Sequence, residues 1–267
     1  GGQMVTALAT CSRMGLRTKY IGTTGTDDNG RRIREELGRW TIDLTDAIIR
    51  DVPNQFAVIL VEEQSGERIV LWDRHDGLRL REREVPAEVF LSTRVLHVDD
   101  VDQDAAIRAA RLARDRGIVV TSDIDRLNDL TEELVASVTI PIFAEHVPPA
   151  LTGEHDPERA LRKLRRGHDG LLCVTLGANG AMALDGDRPI YLPAFQVDAA
   201  DTTGAGDVFR GAFIWALLEG RPPEEVLRFA NAAAAVSCTR VGAINGVPST
   251  EETIRIMTDT HLPPSLP

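Results

Sequence analysis

The chain contains 267 residues, of which 43% are hydrophobic and 27% charged, and its formal net charge at neutral pH is −11. This length suits one large α/β domain with a sizeable core, and no apolar run approaches the ~20 residues that a membrane span needs. The negative charge repels the phosphate backbone that dominates nucleic-acid affinity, so we expect neither a nucleic acid nor a membrane as a partner.

Strand-like apolar runs alternate with amphipathic helical patterns through most of the chain. The runs cover residues 18–22, 94–98, 118–123, 139–143 and 171–176, and the helical patterns cover 28–40, 103–116 and 156–166. In the helical patterns, apolar residues recur at spacings of three and four. The alternation predicts a mainly parallel sheet with helices on both faces, which is a three-layer α/β/α fold.

Residues 56–72 break this alternation. Two apolar runs, 56–61 and 68–72, flank a polar turn that contains Ser65 and Gly66, with no helix between them, and this predicts a β-hairpin. Such a ribbon must bury one face, and a ligand crevice or a second subunit would cover it. We interpret the hairpin as a lid through which the protein forms a homodimer. The alternative is an antiparallel edge extension of the main sheet.

The last third of the sequence predicts two long helices, over 204–219 and 223–239, because small and apolar residues run almost continuously through both segments. No internal repeat or low-complexity linker divides the chain. We therefore expect residues 1–267 to form a single domain that carries the inserted lid at 56–72.

Three cysteines lie far apart along the chain, at Cys11, Cys173 and Cys238. Their number and spacing fit neither a disulfide framework nor a zinc site, and they predict buried thiols in a reducing compartment. Residues 1–5 show neither a basic start nor a signal-type apolar block, so a cytoplasmic location is expected.

The stretch Asp201-Thr202-Thr203-Gly204-Ala205-Gly206-Asp207 leads into the first of the two long helices. A helix start leaves backbone N–H groups unpaired, so we expect the amides of residues 204–207 to converge on one anion, such as a phosphoryl group. A carboxylate beside that group can accept a hydroxyl proton as the oxygen attacks phosphorus, so Asp207 is the candidate general base of a kinase. Alternatively, Asp207 is an ordinary first-turn acid and the glycines only make a tight turn.

This stretch resembles the Asp-Thr-x-Gly-Ala-Gly-Asp signature of the ribokinase-like carbohydrate kinases, also called the phosphofructokinase B (pfkB) family. Three further segments resemble motifs of that family in the same order: Gly1-Gly2 with the turn at 20–30, the strand and glycine turn at 174–180, and the helix at 230–235 with the loop at 239–243. A P-loop and a Gly-x-Gly-x-x-Gly pattern after a strand are absent, which counts against other nucleotide-binding enzymes. The resemblance covers nearly the whole chain and implies the ribokinase-like fold.

The resemblance also implies ligands and the residues that hold them. ATP is the expected phosphoryl donor, together with Mg²⁺, because the charge on ATP must be partly neutralised. The catalytic positions are Gly204, Ala205, Gly206 and Asp207. The nucleotide positions are Thr175, Gly177, Gly180, Thr203, Asn231 and Gly242. The sugar positions are Gly1, Gly2, Gln3, Thr6 and Asp207.

Several positions depart from the family pattern. Gln3 and Thr6 stand where the family usually has Asn, so recognition of sugar hydroxyls differs there. The family's Asn-x-x-Glu motif, which organises water around magnesium, falls on residues 144–147, and both named positions have changed. Glu145 could still reach metal-bound water, or it is an ordinary loop acid. The family's first strand, which supplies an Asp to the sugar, is not found in this sequence.

The family often binds a monovalent cation through main-chain oxygens at positions that match Asp201, Thr203 and Gly242. The last matched ligand, commonly Ser, is Gly246 in this chain. Activation by potassium is therefore left open.

We interpret the protein as an ATP-dependent kinase of a sugar or sugar derivative. A nucleoside kinase of the same fold is the nearest alternative, and a binding or regulatory relative without turnover is another. The intact Asp207 favours an enzyme, because a protein free of catalytic demand has no need of a carboxylate beside a phosphate hole. Arg74, at the end of the lid, is placed to meet an anionic substituent of the substrate, or else it pairs with Asp73 or Asp76.

Overall fold

The computed structural model describes residues 2–61 and 68–258, and its elements follow the predicted alternation. In chain order they are α1 (Gln3–Arg13), β1 (Thr23–Gly25), α2 (Asp28–Arg39), β2 (Ile48–Arg50), β3 (Phe56–Val61), β4 (Arg68–Asp73), β5 (Val95–Asp99), α3 (Gln103–Arg114), β6 (Val119–Ile124), α4 (Thr131–Ser137), β7 (Ile140–Phe143), α5 (Val147–Thr152), α6 (Pro157–Leu164), β8 (Leu172–Thr175), β9 (Ala181–Asp185), β10 (Arg188–Leu192), α7 (Ala205–Leu218), α8 (Pro223–Cys238) and α9 (Thr250–Thr258). Short 3-10 turns connect several of them.

Six of these strands form the central sheet, in the order β10-β9-β8-β7-β6-β5. Strands β5 to β8 run parallel to one another, whereas β9 and β10 extend the sheet through antiparallel pairings. The parallel strands therefore all end at the same edge of the sheet. The mainly parallel sheet confirms the predicted fold class, and this edge positions the candidate site.

Two hydrophobic layers cover the two faces of the sheet. In β8, Leu172 and Val174 join the layer that contains α3, α4 and α6, whereas Cys173 between them joins the layer that contains α1, α7 and α8. Successive residues of a strand point to opposite faces, so a strand covered on both faces is apolar throughout. This is why the parallel strands read as continuous apolar runs in the sequence.

Two features of the small sheets differ from expectation. The prediction of a strand at 18–22 is wrong: Lys19 makes only an isolated bridge to Asp43, and the strand begins later, at β1, which pairs with β2 in a separate parallel sheet. The β9–β10 hairpin is not among the predicted elements. Asp185-Gly186 between two short apolar runs is a hairpin signal, and Gly186 adopts the left-handed conformation that such turns require, with φ 57°.

Strands β3 and β4 form the predicted hairpin, and the turn at 62–67 lies outside the described residues. The two strands make a sheet of their own, so the alternative of an edge extension of the main sheet is wrong. The apolar side chains on one face of the hairpin are about half exposed: Phe56 (50%), Val58 (47%), Leu60 (52%), Ile69 (61%) and Leu71 (55%). A surface of this kind is typical of an interface.

Helix α1 lies directly against α7, and a glycine permits the approach. A Cβ atom on Gly211 would lie 2.6 Å from the Ala7 carbonyl oxygen and 2.6 Å from the Cβ of Thr10. Close-packed atoms do not approach to these distances, so a larger residue would push the two helices apart. The contact places the start of α1 beside the start of α7.

Two further expectations concern location and thiols. Among residues 2–61 and 68–258, no helix combines the length and apolarity needed to cross a membrane. Among the described residues, no disulfide joins any of the three cysteines. Cys11 and Cys173 are buried as expected, whereas Cys238 at the end of α8 is partly exposed.

Replacing Gly211 with Ala tests whether this glycine limits the packing of α1 on α7. The added methyl group gains about 1 kcal/mol of helix propensity, but it overpacks a backbone contact, which costs about 1–3 kcal/mol and forces α1 to shift. We expect Gly211→Ala to lower the free energy of unfolding measured in urea. As a matched control, Gly38→Ala in α2 should raise it, because a Cβ there meets nothing within 4 Å. Stabilisation by both substitutions would contradict this account.

Candidate functional site

Acidic residues from neighbouring elements meet at the carboxyl edge of the sheet. Asp99 ends β5, Asp123 lies one residue before the end of β6, and Asp207 lies in the first turn of α7. The charges of Asp123 and Asp207 act on each other across this edge. Ligands of open α/β sheets bind in the crevice outside the carboxyl ends of the strands, so this edge is the candidate site.

Helix α7 begins at a turn that only glycine fits. Its N-cap residue, Gly204, has φ 80°, and a Cβ there would lie 2.6 Å from the Cβ of Ala243 and 3.5 Å from the Thr6 methyl carbon. A side chain is thus disfavoured both by the left-handed backbone and by its neighbours. Gly206 lies inside the helix, and a Cβ there would meet only the Arg210 side chain, 2.8 Å from Nη1.

The free amides at this turn are fewer than the sequence predicts. The N–H of Ala205 donates to the Thr202 carbonyl oxygen at 3.2 Å, which turns it towards its own loop. Within the described part of the chain, the N–H groups of Gly206 and Asp207 have no backbone acceptor. These two amides lie at the positive end of the helix dipole, so the turn can bind an anion with two donors rather than four.

The Asp201 carboxylate joins the two loops at the start of α7. Its Oδ1 accepts a hydrogen bond from the Thr203 N–H at 2.8 Å, and its Oδ2 accepts one from the Gly242 N–H at 2.9 Å. The Gly242 carbonyl in turn accepts the Gly246 N–H at 2.8 Å. The side chain of Asp201 therefore has a structural task, and the monovalent-cation site at the main-chain oxygens of these residues stays a prediction.

Asp207 has the electrostatic surroundings of a base that works near neutral pH. Burial raises the pKa of its carboxyl group to about 7, and the negative charge of Asp123 acts in the same direction. The charge of Arg210 and the Thr6 hydroxyl act in the opposite direction. A carboxylate with a pKa near the working pH is suited to proton transfer.

Asp123 and Arg210 form a deeply buried ion pair next to Asp207. Arg210 Nη2 lies 2.7 Å from Asp123 Oδ1, and the two side chains are only 4% and 2% exposed. Burial raises the pKa of Asp123 to about 6, against the opposing charge of Arg210. Arg210 is not among the residues that we predict from the sequence, although it is the one basic residue of α7, in which Asp207 is the one acidic residue.

Three of the predicted sugar positions are brought to this site. Gly2 precedes α1 with φ 107°, Gln3 faces the Asp123 carboxylate, and Thr6 is fully buried with its hydroxyl towards Asp207. The Thr6 Oγ1 has no protein hydrogen-bond partner of good geometry among the described residues. Gly1 lies outside the described residues.

Arg74 has a different environment from the one expected. Its two terminal nitrogens bind both carboxylate oxygens of Asp102, at 2.9 and 2.7 Å, and Nη2 also donates to the Leu78 carbonyl. It therefore pairs with neither Asp73 nor Asp76. Arg74 lines a cavity of about 1490 Å³ along β5, whose lining includes Asp99 and Asp102 but not Asp207. Its contact with an anionic substituent stays a prediction.

The predicted nucleotide positions lie in three places, which are the carboxyl end of β8, the loops at the start of α7, and helix α8. Thr175 ends β8, and Gly177 and Gly180 have positive φ in the turn that follows. Thr203 and Gly242 are joined through Asp201. The Asn231 side chain in α8 donates to the carbonyls of Leu192 and Pro193 at 3.0 and 3.2 Å, so its amide nitrogen already holds the end of β10.

The chain supplies few direct ligands for a metal. Glu145 follows β7, is exposed, and borders a cavity of about 480 Å³ together with His146 and His155. In the described residues, no three acidic, His or Cys side chains group closely enough to hold an ion by themselves. This arrangement fits Mg²⁺, which keeps several waters and binds through one or two carboxylates and substrate phosphates.

Sequence and structure comparisons agree with the site. A ribokinase from Haemophilus influenzae is 29% identical over 96% of this chain and 87% of its own length. A nucleoside kinase from Methanothermobacter thermautotrophicus is 25% identical over 97% of this chain and 84% of its own. The crystal structure of a ribokinase from Thermotoga maritima superposes with a TM-score of 0.84 at 27% identity, and the match covers 96% of this chain and 87% of that one.

The model of the pfkB family carbohydrate kinases matches residues 1–250. This range contains the double glycine, the glycine turn after β8 and the Asp201–Asp207 stretch that form the candidate site. The chain belongs to the pfkB family of carbohydrate kinases.

Proposed function

We propose that this protein transfers the γ-phosphoryl group of ATP to a hydroxyl of a sugar or sugar derivative, with Asp207 as the general base. One arrangement carries the proposal: the Asp207 carboxylate, whose pKa burial raises to about 7, lies in the helix turn in which the amides of Gly206 and Asp207 have no backbone acceptor among the described residues. A proton acceptor and an anion site are thereby held side by side. Phosphoryl transfer to an alcohol needs this combination.

Each part of the turn has a separate task in transfer. The ionised Asp207 takes the proton of the acceptor hydroxyl as its oxygen attacks phosphorus. The two free amides donate to the oxygens of the transferring group, where negative charge concentrates. The turn at Gly177 and Gly180, with Thr175, Thr203 and Gly242, holds the nucleotide, and Asn231 supports its pocket by fixing the end of β10. Glu145 would hold Mg²⁺ through water, and the bound ion would supply partial neutralisation of the phosphates.

The acceptor site lies between the start of α1 and Asp207. Gln3 and Thr6 project there with Asp123 behind them. Carboxylate and amide oxygens accept hydrogen bonds from hydroxyls, and the charges at this edge are mostly negative, so a neutral polyol fits better than an anion. A nucleoside, which also presents ribose hydroxyls, is the second candidate, and the similarity to an archaeal nucleoside kinase favours testing it.

The β3–β4 hairpin closes over the acceptor and pairs with the same hairpin of a second subunit. In support, one face exposes five large apolar residues to about half of their surface, and an isolated two-stranded ribbon is marginally stable. Closure excludes water from the attacking hydroxyl. A single domain with this lid, in the cytoplasm, completes the proposal.

Asp207→Asn tests the function itself. The neutral amide keeps the shape of the turn but accepts no proton, so phosphoryl transfer should fall by roughly 10²–10⁴-fold, while ATP affinity changes by only a few fold. ATP consumption on a panel of sugars and nucleosides measures transfer, and calorimetry measures ATP binding. Asp187→Asn, an exposed turn acid, should leave both unchanged. Near-normal transfer by Asp207→Asn would remove this residue from the mechanism.

Gly204→Ala tests the anion site. The substitution strains a residue at φ 80° and pushes against Ala243, which displaces the amides that follow. Loss of one oxyanion donor costs roughly 10²–10³-fold in rate, so kcat should fall by at least 10²-fold with sugar affinity retained. The matched control is Gly220→Ala at the other end of α7, where φ is 72° and a Cβ meets nothing within 4 Å. It should cost stability but not kcat, and an equal loss of kcat in both variants would overturn the assignment.

Val58→Glu tests assembly through the hairpin. Val58 lies opposite Leu71 on the exposed apolar face, and a charge there would have to be desolvated in an interface. We expect the unmodified protein to elute as a dimer in light-scattering chromatography and Val58→Glu to elute as a monomer with weakened sugar binding. Leu91→Glu, at an 81% exposed position outside the hairpin, should remain dimeric. A dimer that survives Val58→Glu would place the interface elsewhere.

A further inference from the structure

Arg210 lies directly beneath the free-amide turn. It is three residues beyond Asp207 in α7, and its side chain is 4% exposed. Its Nη1 occupies the space that a Cβ on Gly206 would need, at 2.8 Å, and its Nε has no hydrogen-bond partner among the described residues. The glycine at 206 therefore leaves room for a guanidinium as well as for a phosphoryl group.

The groups that act on the charge of Asp207 come from the end of β6 with the loop after it, from α7 and from α1. Strand β6 contributes Asp123, and the loop after it contributes Asp125, both negative. Helix α7 contributes Arg210, the positive charge among the groups that act on Asp207, and helix α1 contributes only the Thr6 hydroxyl. Asp100 and Asp125 act in turn on Asp123. One buried cation is thus set against several carboxylates.

Carboxylates that share a buried site hold on to protons, because desolvation and like charges both disfavour the ionised form. A general base must be ionised before it can accept a proton. The buried guanidinium opposes both effects, and its ion pair with Asp123 at 2.7 Å fixes where it lies. The position of the Arg210 charge therefore affects ionisation of the general base as well as packing.

We propose that Arg210 is a positioning residue whose buried charge, held in place by Asp123, increases the ionised fraction of the Asp207 carboxylate at neutral pH. The proposal rests on Asp207 being the general base. A purely structural pair would only neutralise Asp123, and its loss would lower stability without changing how activity depends on pH. The two possibilities therefore differ in whether the pH dependence of activity shifts.

The experiment follows single-turnover phosphoryl transfer against pH. Arg210→Met removes the positive charge, so the acidic limb of the pH–rate profile should move to higher pH by roughly one unit. Asp123→Asn removes a negative charge, so the acidic limb should move to lower pH. Arg210→Lys retains the charge and should restore most of the position of the limb. Opposite shifts from the two partners of one ion pair are not expected from loss of structure.

Two controls keep the test informative if a variant is unstable. Arg50→Met breaks a partly buried pair with Glu84, neither of which is among the groups that act on Asp207, and should lower stability without moving the limb. If Arg210→Met does not fold, Asp123→Asn and Arg210→Lys still test the proposal. The double variant Arg210→Met/Asp123→Asn removes both charges and should place the limb near that of the unmodified protein.

Two outcomes would overturn the proposal. Shifts in the same direction for Arg210→Met and Asp123→Asn would do so, as would an unmoved limb in every folded variant. Carbon-13 NMR titration of the Asp207 carboxyl in the protein without substrates gives a second reading, in which the Asp207 titration should shift with the same signs. If the limb does not shift as expected while Asp207→Asn still loses transfer, only the role of Arg210 is wrong. If Asp207→Asn transfers at the full rate, Asp207 is not the general base.

Discussion

The close approach of α1 to α7 determines which groups can meet at the carboxyl edge of the sheet. Gly211 leaves no side chain between the helices, so the start of α1 lies beside the start of α7, with Thr6 next to Gly204 and Asp207. The residues that we propose for the acceptor site thus come from segments far apart in the sequence. A shift of about 1 Å between these helices would separate them, and errors of that size can cost 10²-fold in rate.

Burying carboxylates at the same edge costs electrostatic free energy, and packing of the fold does not by itself require buried carboxylates there. Burial raises the pKa of Asp99 and Asp207 to about 7 and that of Asp123 to about 6. Apolar residues of similar volume would often be as stable or more stable than a buried ion pair. The proposed general base must be close to half-ionised at neutral pH, and this requires a carboxylate that is largely removed from water. The proposed function therefore explains the electrostatic cost of burying these carboxylates.

The sequence predicts the fold better than the details of the site. Continuous apolar runs reveal β5 to β8, because strands buried on both faces lack alternation, and the glycine stretch at 204–206 reveals the start of α7. The strand at β1 is misplaced, because three residues carry little pattern. Arg210 and the Arg74–Asp102 pair are not predicted, since partners 87 and 28 positions apart meet only when the chain folds. The hydrogen bond from the Ala205 N–H to the Thr202 carbonyl could not be predicted from the sequence either.

A cation–π contact joins the base of the hairpin to the loop that follows β6. At its base, the Arg126 guanidinium lies 4.8 Å from the ring centre of Trp72, and Arg126 follows β6 three residues after Asp123. A cation–π contact at such an exposed position is worth about 0.5–1 kcal/mol. Burial of the exposed apolar face against a partner or a ligand would outweigh this at roughly 25 cal/mol per Å². In the lid that we propose, whatever covers the apolar face would therefore govern the position of the hairpin, and the contact at Arg126 would join that event to the loop that follows Asp123.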